Sequence, residues 1–395
     1  MIAAGLLLYN IDFLYLFSSS CMFVYIFTSF LVLFFFKLEV ISRNRNLNKL
    51  LFLVASFVVA FILVFRGDNV GGDTIHYCRF FDGKGSGYGT IDNPDYLIDL
   101  GFIWYCKFLR FFSSNRAFFL IITSLVTIMP FLYIIYRDSK YKLLPLCFYM
   151  LSFNLLTLSQ TALRQNVSLS LLFVVYIIFT SKNINGVAKY LVILTLTIFA
   201  FYCHSTSIVS VFMAIIVYFI PLRRWSTLLI LFVVLGLMIL RIDITGYVFS
   251  IFYDNSNVTD MTHYITGYAD DINENKFSLM SLLQILMLAS VAFLCSDKLY
   301  YDKNRYNFIM KCFFIGGAIT VMGNGFVLIC RIVYFLTFLG ATISIDNYNG
   351  RKMLIPRLGL YLCLIALFFY QFLYLSTQKS AIIHDHMIPY SFIFE

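Results

Sequence analysis

The chain has 395 residues, of which 61% are hydrophobic and only 12% charged. A soluble globular chain carries about 25% charged residues, so the composition excludes a soluble domain and calls for an all-α polytopic membrane protein. The net charge of +9 does not point to nucleic acid, because the basic residues are distributed by topology.

Apolar runs of about 17–25 residues recur along the chain, which is the signature of spanning helices and not of a β-barrel. About twelve spans are predicted, at residues 14–36, 50–66, 117–136, 143–158, 163–180, 188–203, 206–221, 226–241, 278–296, 307–323, 326–343 and 358–376. Residues 1–13 are too short to span and are expected along the interface. The N-terminus lacks a basic n-region, so the first apolar segment is expected to stay as a helix. The segment Tyr96 to Phe112, YLIDLGFIWYCKFLRFF, contains Asp99, Lys107 and Arg110. It reads as an amphipathic helix on the outer surface. Residues 1–395 then form one integral membrane domain with two long extracytoplasmic loops, 67–116 and 242–277.

Orientation follows from the loops. One alternate set, from Lys37 to Lys49, Arg137 to Lys142, Lys182 to Lys189, Arg223 and Arg224, Asp297 to Lys311 and Asp346 to Arg357, holds 18 of the 29 basic residues and five of the 20 acids. The positive-inside rule places this set in the cytoplasm and both termini outside. The cytoplasmic loops are short and merely basic. No Walker sequence, no G-x-G-x-x-G after a strand and no H-E-x-x-H occurs, which disfavours an ATP-driven machine. Nine cysteines are scattered singly and read as small buried hydrophobes.

Candidate functional residues gather at the outer face. The second predicted span ends in Phe65-Arg66-Gly67-Asp68, followed by Asn69-Val70-Gly71-Gly72-Asp73-Thr74. Arg66 offers a planar fork suited to phosphate oxygens, and Asp73 could orient an arginine or hold a sugar hydroxyl. A capped helix end with a solvated turn would read the same way. Arg164 and Gln165 open the span 163–180, and His204 closes the next one. Two helices of about 25 Å each return the chain to one face, so Arg164 and His204 are expected at the same level. Charges at membrane depth cost about 2.5–3.5 kcal/mol on insertion scales and tend to mark function, although an interfacial arginine snorkelling to headgroups is the alternative for Arg164. Arg331 lies deepest among apolar residues, and Arg241 ends the eighth span. Tyr264, Tyr268, Asp270 and Asp271 form YITGYADD in the second long loop, a pattern for stacking sugars and holding hydroxyls as well as for an ordinary polar loop. Arginines 66, 164, 241 and 331 with one histidine suit a lipid-linked anionic substrate, above all a pyrophosphate. No metal site and no cofactor is expected. His384-x-His386 is sparse, and the arginines would repel a bound cation.

Arg66-Gly67 with Val70-Gly71-Gly72-Asp73-Thr74 and Tyr77, then Leu163-Arg164-Gln165, then His204-Ser205-Thr206-Ser207, resemble the EpsG family of Wzy-like polymerases of exopolysaccharide, capsule and O-antigen repeat units. Gly72 departs from the residue expected before Asp73. The resemblance implies a GT-C-like glycosyltransferase bundle in the bacterial cytoplasmic membrane, with its active site facing outward. It implies transfer of the growing glycan from undecaprenyl pyrophosphate to the next lipid-linked repeat unit, and a chain-length-regulating co-polymerase as partner. In that frame Arg164, Arg331 and Arg66 bind the pyrophosphate and His204 is the base, with Asp73 the runner-up through His76. A flippase of lipid-linked oligosaccharides, an O-antigen-type ligase and an O-acyltransferase are the competing classes. A flippase is expected to show internal repeats and midplane charges, and an acyltransferase leaves the arginines unexplained.

Overall fold

A computed structural model describes residues 20–42, 44–95, 98–182, 184, 186–240, 279–301, 305–323, 327–348, 353–377 and 393. Among these residues the regular structure is helical: α1 Ser20–Ile41, α2 Arg45–Val64, α3 Thr74–Asp82, α4 Leu100–Phe112, α5 Arg116–Asp138, α6 Leu143–Leu151, α7 Phe153–Thr161, α8 Leu163–Thr180, α9 Val187–Cys203, α10 Ser207–Phe219, α11 Arg224–Ile239, α12 Leu279–Leu294, α13 Asp297–Tyr301, α14 Arg305–Met322, α15 Val327–Ile332, α16 Tyr334–Ala341 and α17 Leu354–Thr377. By length and composition, five stretches can cross a bilayer: Phe23–Ile41, α2, α5, α8 and Leu354–Gln371. The bent pair α6–α7 brings the number to six. Helices α9 to α12 are apolar but shorter, at 13 to 17 residues. Among the described residues, helix length and composition thus support five or six of the twelve expected spans.

The boundaries differ from the sequence reading where a polar group finds a partner. The first span was expected to end at residue 36, before Lys37 and Glu39. Helix α1 instead runs on to Ile41. Glu39 is buried, and its two carboxylate oxygens accept from the backbone N–H groups of Lys142 (2.9 Å) and Leu143 (3.0 Å). A charge that would have ended one helix becomes the cap of another, satisfying orphan donors at the start of α6. The span expected at 143–158 is bent by 73° about Ser152 and continues to Thr161. Asn166 closes it by donating through Nδ2 to the carbonyls of Leu158 (2.9 Å), which also accepts the Ala162 N–H, and Ser159 (3.0 Å), a side-chain cap on the last turn. The span expected at 326–343 is split into α15 and α16 at Val333.

Where helices cross, glycine sets the distance. A Cβ on Gly340 would stand 2.5 Å from the Phe313 backbone, so α16 lies directly against α14. Lipid tails are as apolar as leucine, so helix association in a membrane relies on such close van der Waals contact. Around it, Phe131, Tyr149, Phe173 and Phe338 interlock, with Phe131 and Phe338 ring centroids 4.5 Å apart edge to face. A second, smaller core joins α3, α4, α5, α8 and α9 through Tyr77, Phe81, Phe102, Phe119, Val167 and Cys203. The large exposed apolar side chains of α9 to α11, among them Leu194, Phe212 and Phe232, form the kind of surface that faces lipid.

The basic loops assemble at one end. Asp138, with a fully buried carboxylate, pairs with Arg137 (2.7 Å) and Arg305 (3.1 Å) and accepts from the Tyr176 hydroxyl at 3.3 Å. Arg137 also reaches Thr180, Arg224 the Cys295 carbonyl and Lys140 the Asp346 carbonyl. The loops that the charge pattern assigned to one face therefore do share one end of the bundle. Asp138→Ala leaves two arginines without their shared counter-ion, and breaking a buried ion pair costs about 3–5 kcal/mol. The detergent-solubilised variant is expected to lose its monodisperse elution at temperatures the wild type survives, while Asp297→Ala, at an exposed carboxylate, elutes as the wild type does.

Candidate active site

At the opposite end, the segment after α2 folds around the last turn of α7. Arg66 is 1% exposed. Its guanidinium donates to the carbonyls of Leu63 (2.8 Å) and Gln160 (3.2 Å) and to the Ser124 hydroxyl (3.1 Å). The Thr74 hydroxyl donates to the same Gln160 carbonyl at 2.8 Å. Gly71 passes over that carbonyl with φ +97°, and a Cβ there would stand 2.6 Å from the oxygen, which explains the glycine. Arg66, expected at the pyrophosphate, is thus placed as a brace between α2, α5 and α7, because the freed carbonyls of α7 need donors.

The expected outer loop 67–116 is built structure. Arg116, at the start of α5, pairs with Asp68 (3.0 Å) and with Asp82 and so clasps the two ends of the segment. Between α3 and α4 a glycine-rich turn carries Tyr88, tied by the Asp95 N–H to the Tyr88 carbonyl. The expected amphipathic helix is α4. Phe102, Ile103, Cys106 and Leu109 enter the second core, while Trp104, Phe108, Phe111 and Phe112 remain exposed.

The register of α8 against α9 decides which residues meet. Ser168 donates its hydroxyl to the Ala200 carbonyl at 2.8 Å. In antiparallel helices, one turn toward the N-terminus of α8 then faces one turn toward the C-terminus of α9. Those positions are Arg164 and His204. The start of α4 docks onto the same place, since Gly101 has no Cβ. Such an atom would stand 2.6 Å from the Tyr202 backbone. Asp99, one residue before α4, is thereby inserted between the two. Its Oδ2 accepts from Arg164 Nη1 at 3.2 Å and lies 3.4 Å from His204 Nδ1.

Aromatic rings complete the wall. Tyr77 and Tyr88 stack at 5.1 Å with 11° between planes. The Arg164 guanidinium sits 5.8 and 5.0 Å from their centroids and donates through Nε to the Tyr77 hydroxyl at 3.2 Å. Cation–π contacts of this kind hold an arginine that apolar burial would otherwise penalise. Gln165 donates to the Arg331 backbone carbonyl at 2.6 Å, tying α15 to α8. Burial lowers the His204 pKa below its ordinary value, the Arg164 and Arg331 cations push it the same way, and Asp99 opposes them. The imidazole is therefore neutral at pH 7. Burial raises the Tyr77 and Tyr88 hydroxyls, and the Asp73 carboxylate adds to both shifts, which places Asp73 beside the stacked pair. His76 is exposed and meets Tyr88 edge-on at 6.4 Å.

Of the residues singled out from sequence, Arg164, His204, Gln165, Arg331 and Asp73 come together here, and Arg66 lies beneath them. Arg241, Tyr264, Tyr268 and Asp270 lie outside the described residues. Sequence reasoning counted Asp99 only as a charge within an amphipathic segment and passed over Tyr88. An acid at a helix start, two residues before a glycine, was the available signal for the first. An aromatic within Gly85-Ser86-Gly87-Tyr88-Gly89 was the signal for the second.

A family model described as the EpsG family matches residues 49–392. No curated protein matches the chain, and no solved structure does.

The bracing position of Arg66 has a measurable consequence. Lysine cannot reproduce the fork, and each hydrogen bond to a charged donor is worth about 1.5–3 kcal/mol. Arg66→Lys is expected to lower thermal stability in detergent by at least one such bond. Ser124→Ala, which removes a single acceptor, is expected to cost less, and equal melting of the Arg66→Lys protein and the wild type would remove the brace from the account.

Proposed function

The chain belongs to the EpsG family, and on that premise we propose that it is a polysaccharide polymerase: a membrane glycosyltransferase that moves a growing glycan from undecaprenyl pyrophosphate to the next lipid-linked repeat unit at the outer face of the bacterial cytoplasmic membrane. The observation that carries this reading is the meeting of Arg164, His204 and Asp99 at the end opposite the basic loops. A neutral imidazole beside two arginines suits a reaction with a hydroxyl nucleophile and a diphosphate leaving group.

The topology proposed with it has twelve crossings: α1, α2, α5, the bent pair α6–α7, α8 to α12, α14, the broken pair α15–α16, and α17. The whole chain is one GT-C-like integral membrane domain, and residues 67–116 and 242–277 are its outer loops. The short helices fit this arrangement if the bilayer thins or the flanking residues snorkel.

His204 removes the acceptor hydroxyl's proton as the acceptor oxygen bonds to the donor's anomeric carbon. The bond from that carbon to the pyrophosphate oxygen breaks, and its electron pair leaves with the undecaprenyl pyrophosphate. Arg164 and Arg331 neutralise the charge that develops on it, an effect that is strongest in a dry site. Tyr77 and Tyr88 hold Arg164, and the half-buried Tyr88 ring offers a surface to sugars. A length-regulating co-polymerase remains part of the proposal as partner.

The test uses purified protein in detergent with the lipid-linked repeat unit of its host. A ladder of multimers is expected, absent with Arg164→Ala. Consumption of substrate only when a polysaccharide acceptor is added would assign a ligase instead, and no consumption at all would overturn the enzyme.

The pH dependence follows from the His204 shift. As pH falls through its pKa the imidazole gains a proton and loses its accepting lone pair. Because that pKa is lowered, the acid limb of kcat/KM is expected below the ordinary histidine value of about 6.5. General-base catalysis contributes about 10²–10⁴-fold. His204→Gln is expected to lose a factor in that range together with the limb, and near-normal turnover would reduce His204 to a binding role.

A further inference from the structure

We infer that Asp99 is the positioning residue of this site: it accepts the Nδ1–H of His204, so that Nε2 is left as the proton acceptor, and it holds Arg164 beside the ring. The inference rests on the reading of His204 as base.

Three observations carry it. One carboxylate oxygen, Oδ2, faces both Nη1 of Arg164 (3.2 Å) and Nδ1 of His204 (3.4 Å). A carboxylate oxygen only accepts, and a neutral imidazole has one N–H, so the proton sits on Nδ1 and the lone pair on Nε2. Next, Asp99 occupies the position before α4 where an aspartate ordinarily accepts from the helix's own N–H groups, yet its side chain makes no such bond. The carboxylate is directed away from local capping and toward α8 and α9. Finally, the approach is specified by Gly101, whose missing Cβ allows α4 to lie against the Tyr202–Cys203 backbone.

The charged and titratable groups around the ring are consistent with this assignment. Arg164 from α8 and Arg331 from α15 disfavour imidazolium, and Asp99 at the start of α4 favours it. Tyr77 of α3 and Tyr88 in the turn face Arg164, Asp73 acts on both tyrosines, and Cys203 of α9 adjoins Asp99. In the transfer step the acceptor proton moves to Nε2 and the ring becomes cationic. The Nδ1–H bond to Asp99 then strengthens, and the proton leaves to solvent after the pyrophosphate has departed. Without Asp99 the ring is free to rotate or to place its proton on Nε2, and two arginines oppose its protonation unbalanced.

Asp99→Asn keeps the size, removes the charge and offers an amide N–H that selects the other tautomer. It is expected to lower kcat about 100-fold or more, the scale of a general base, with KM nearly unchanged. Its acid limb is expected to move to lower pH, because the counter-charge that favours imidazolium is gone. Asp99→Glu, which restores the acceptor, is expected to recover at least tenfold over Asp99→Asn. Alongside, carbethoxylation of His204 by diethyl pyrocarbonate is followed against pH by peptide mass spectrometry on proteins that elute monodisperse. Only neutral imidazole reacts, and the midpoint for His204 is expected to fall in Asp99→Asn. Wild-type turnover in Asp99→Asn, or a loss of turnover with both midpoints unmoved, would overturn the inference, the second because it marks a purely structural effect. If the wild type makes no polymer, the functional reading fails. The carbethoxylation midpoint then decides the Asp99–His204 coupling independently: a shifted midpoint upholds it, and an unmoved one sinks it.

Discussion

Inside an apolar bundle every charge and every freed backbone group has to find its partner within the protein, since a buried unpaired polar group costs more than most contacts return. This constraint accounts for the polar connections of the fold. Glu39 is tolerated in α1 because it caps α6. Asn166 closes α7, and Arg66 with Thr74 takes up the Gln160 carbonyl that the break at Ala162 exposes. Asp138 gathers two arginines at one end, and Asp99 an arginine and a histidine at the other. The same rule that makes polar residues rare in such a chain makes these ones joints between helices.

The two ends use this rule differently. At the basic end the Asp138 carboxylate is sealed behind Arg137 and Arg305. At the other end the polar groups stand along a half-buried wall. Arg164, His204 and Asp99 have side-chain exposures of 15%, 17% and 23%, against none for the Asp138 carboxylate. Burial there lowers the His204 pKa and keeps the imidazole neutral, the state that the proposed role as base requires.

Geometry at that wall comes from small residues and one register bond. Ser168 on Ala200 aligns α8 with α9, and Gly101 lets α4 touch the α9 terminus. Neither residue carries chemistry. Each sets a distance at the level of about an ångström, and misplacement on that scale is what costs catalytic power in pre-organised sites. The stacked Tyr77 and Tyr88 fix the guanidinium in turn, so the arginine is oriented from one face by rings and from its edge by a carboxylate.

Hydropathy alone determined the helical membrane class. The asymmetry of Lys and Arg across alternate loops was enough to predict which loops share an end, because charge placement follows insertion and needs no tertiary contact. The return of Arg164 and His204 to one level was likewise legible, since a helix of known rise is a ruler. Tertiary structure decided the rest. It sent Arg66, whose sequence context suits phosphate, into the interior to serve the Gln160 carbonyl. It carried α1 past Lys37 and bent α6 into α7, because partners distant in sequence satisfied groups that local rules would leave exposed. It also inserted Asp99 between two residues 65 and 105 positions away. Periodicity and hydropathy describe a residue's near neighbours along the chain. Which carboxylate meets which imidazole depends on how closely two backbones approach, and here that was set by the absent side chain of Gly101.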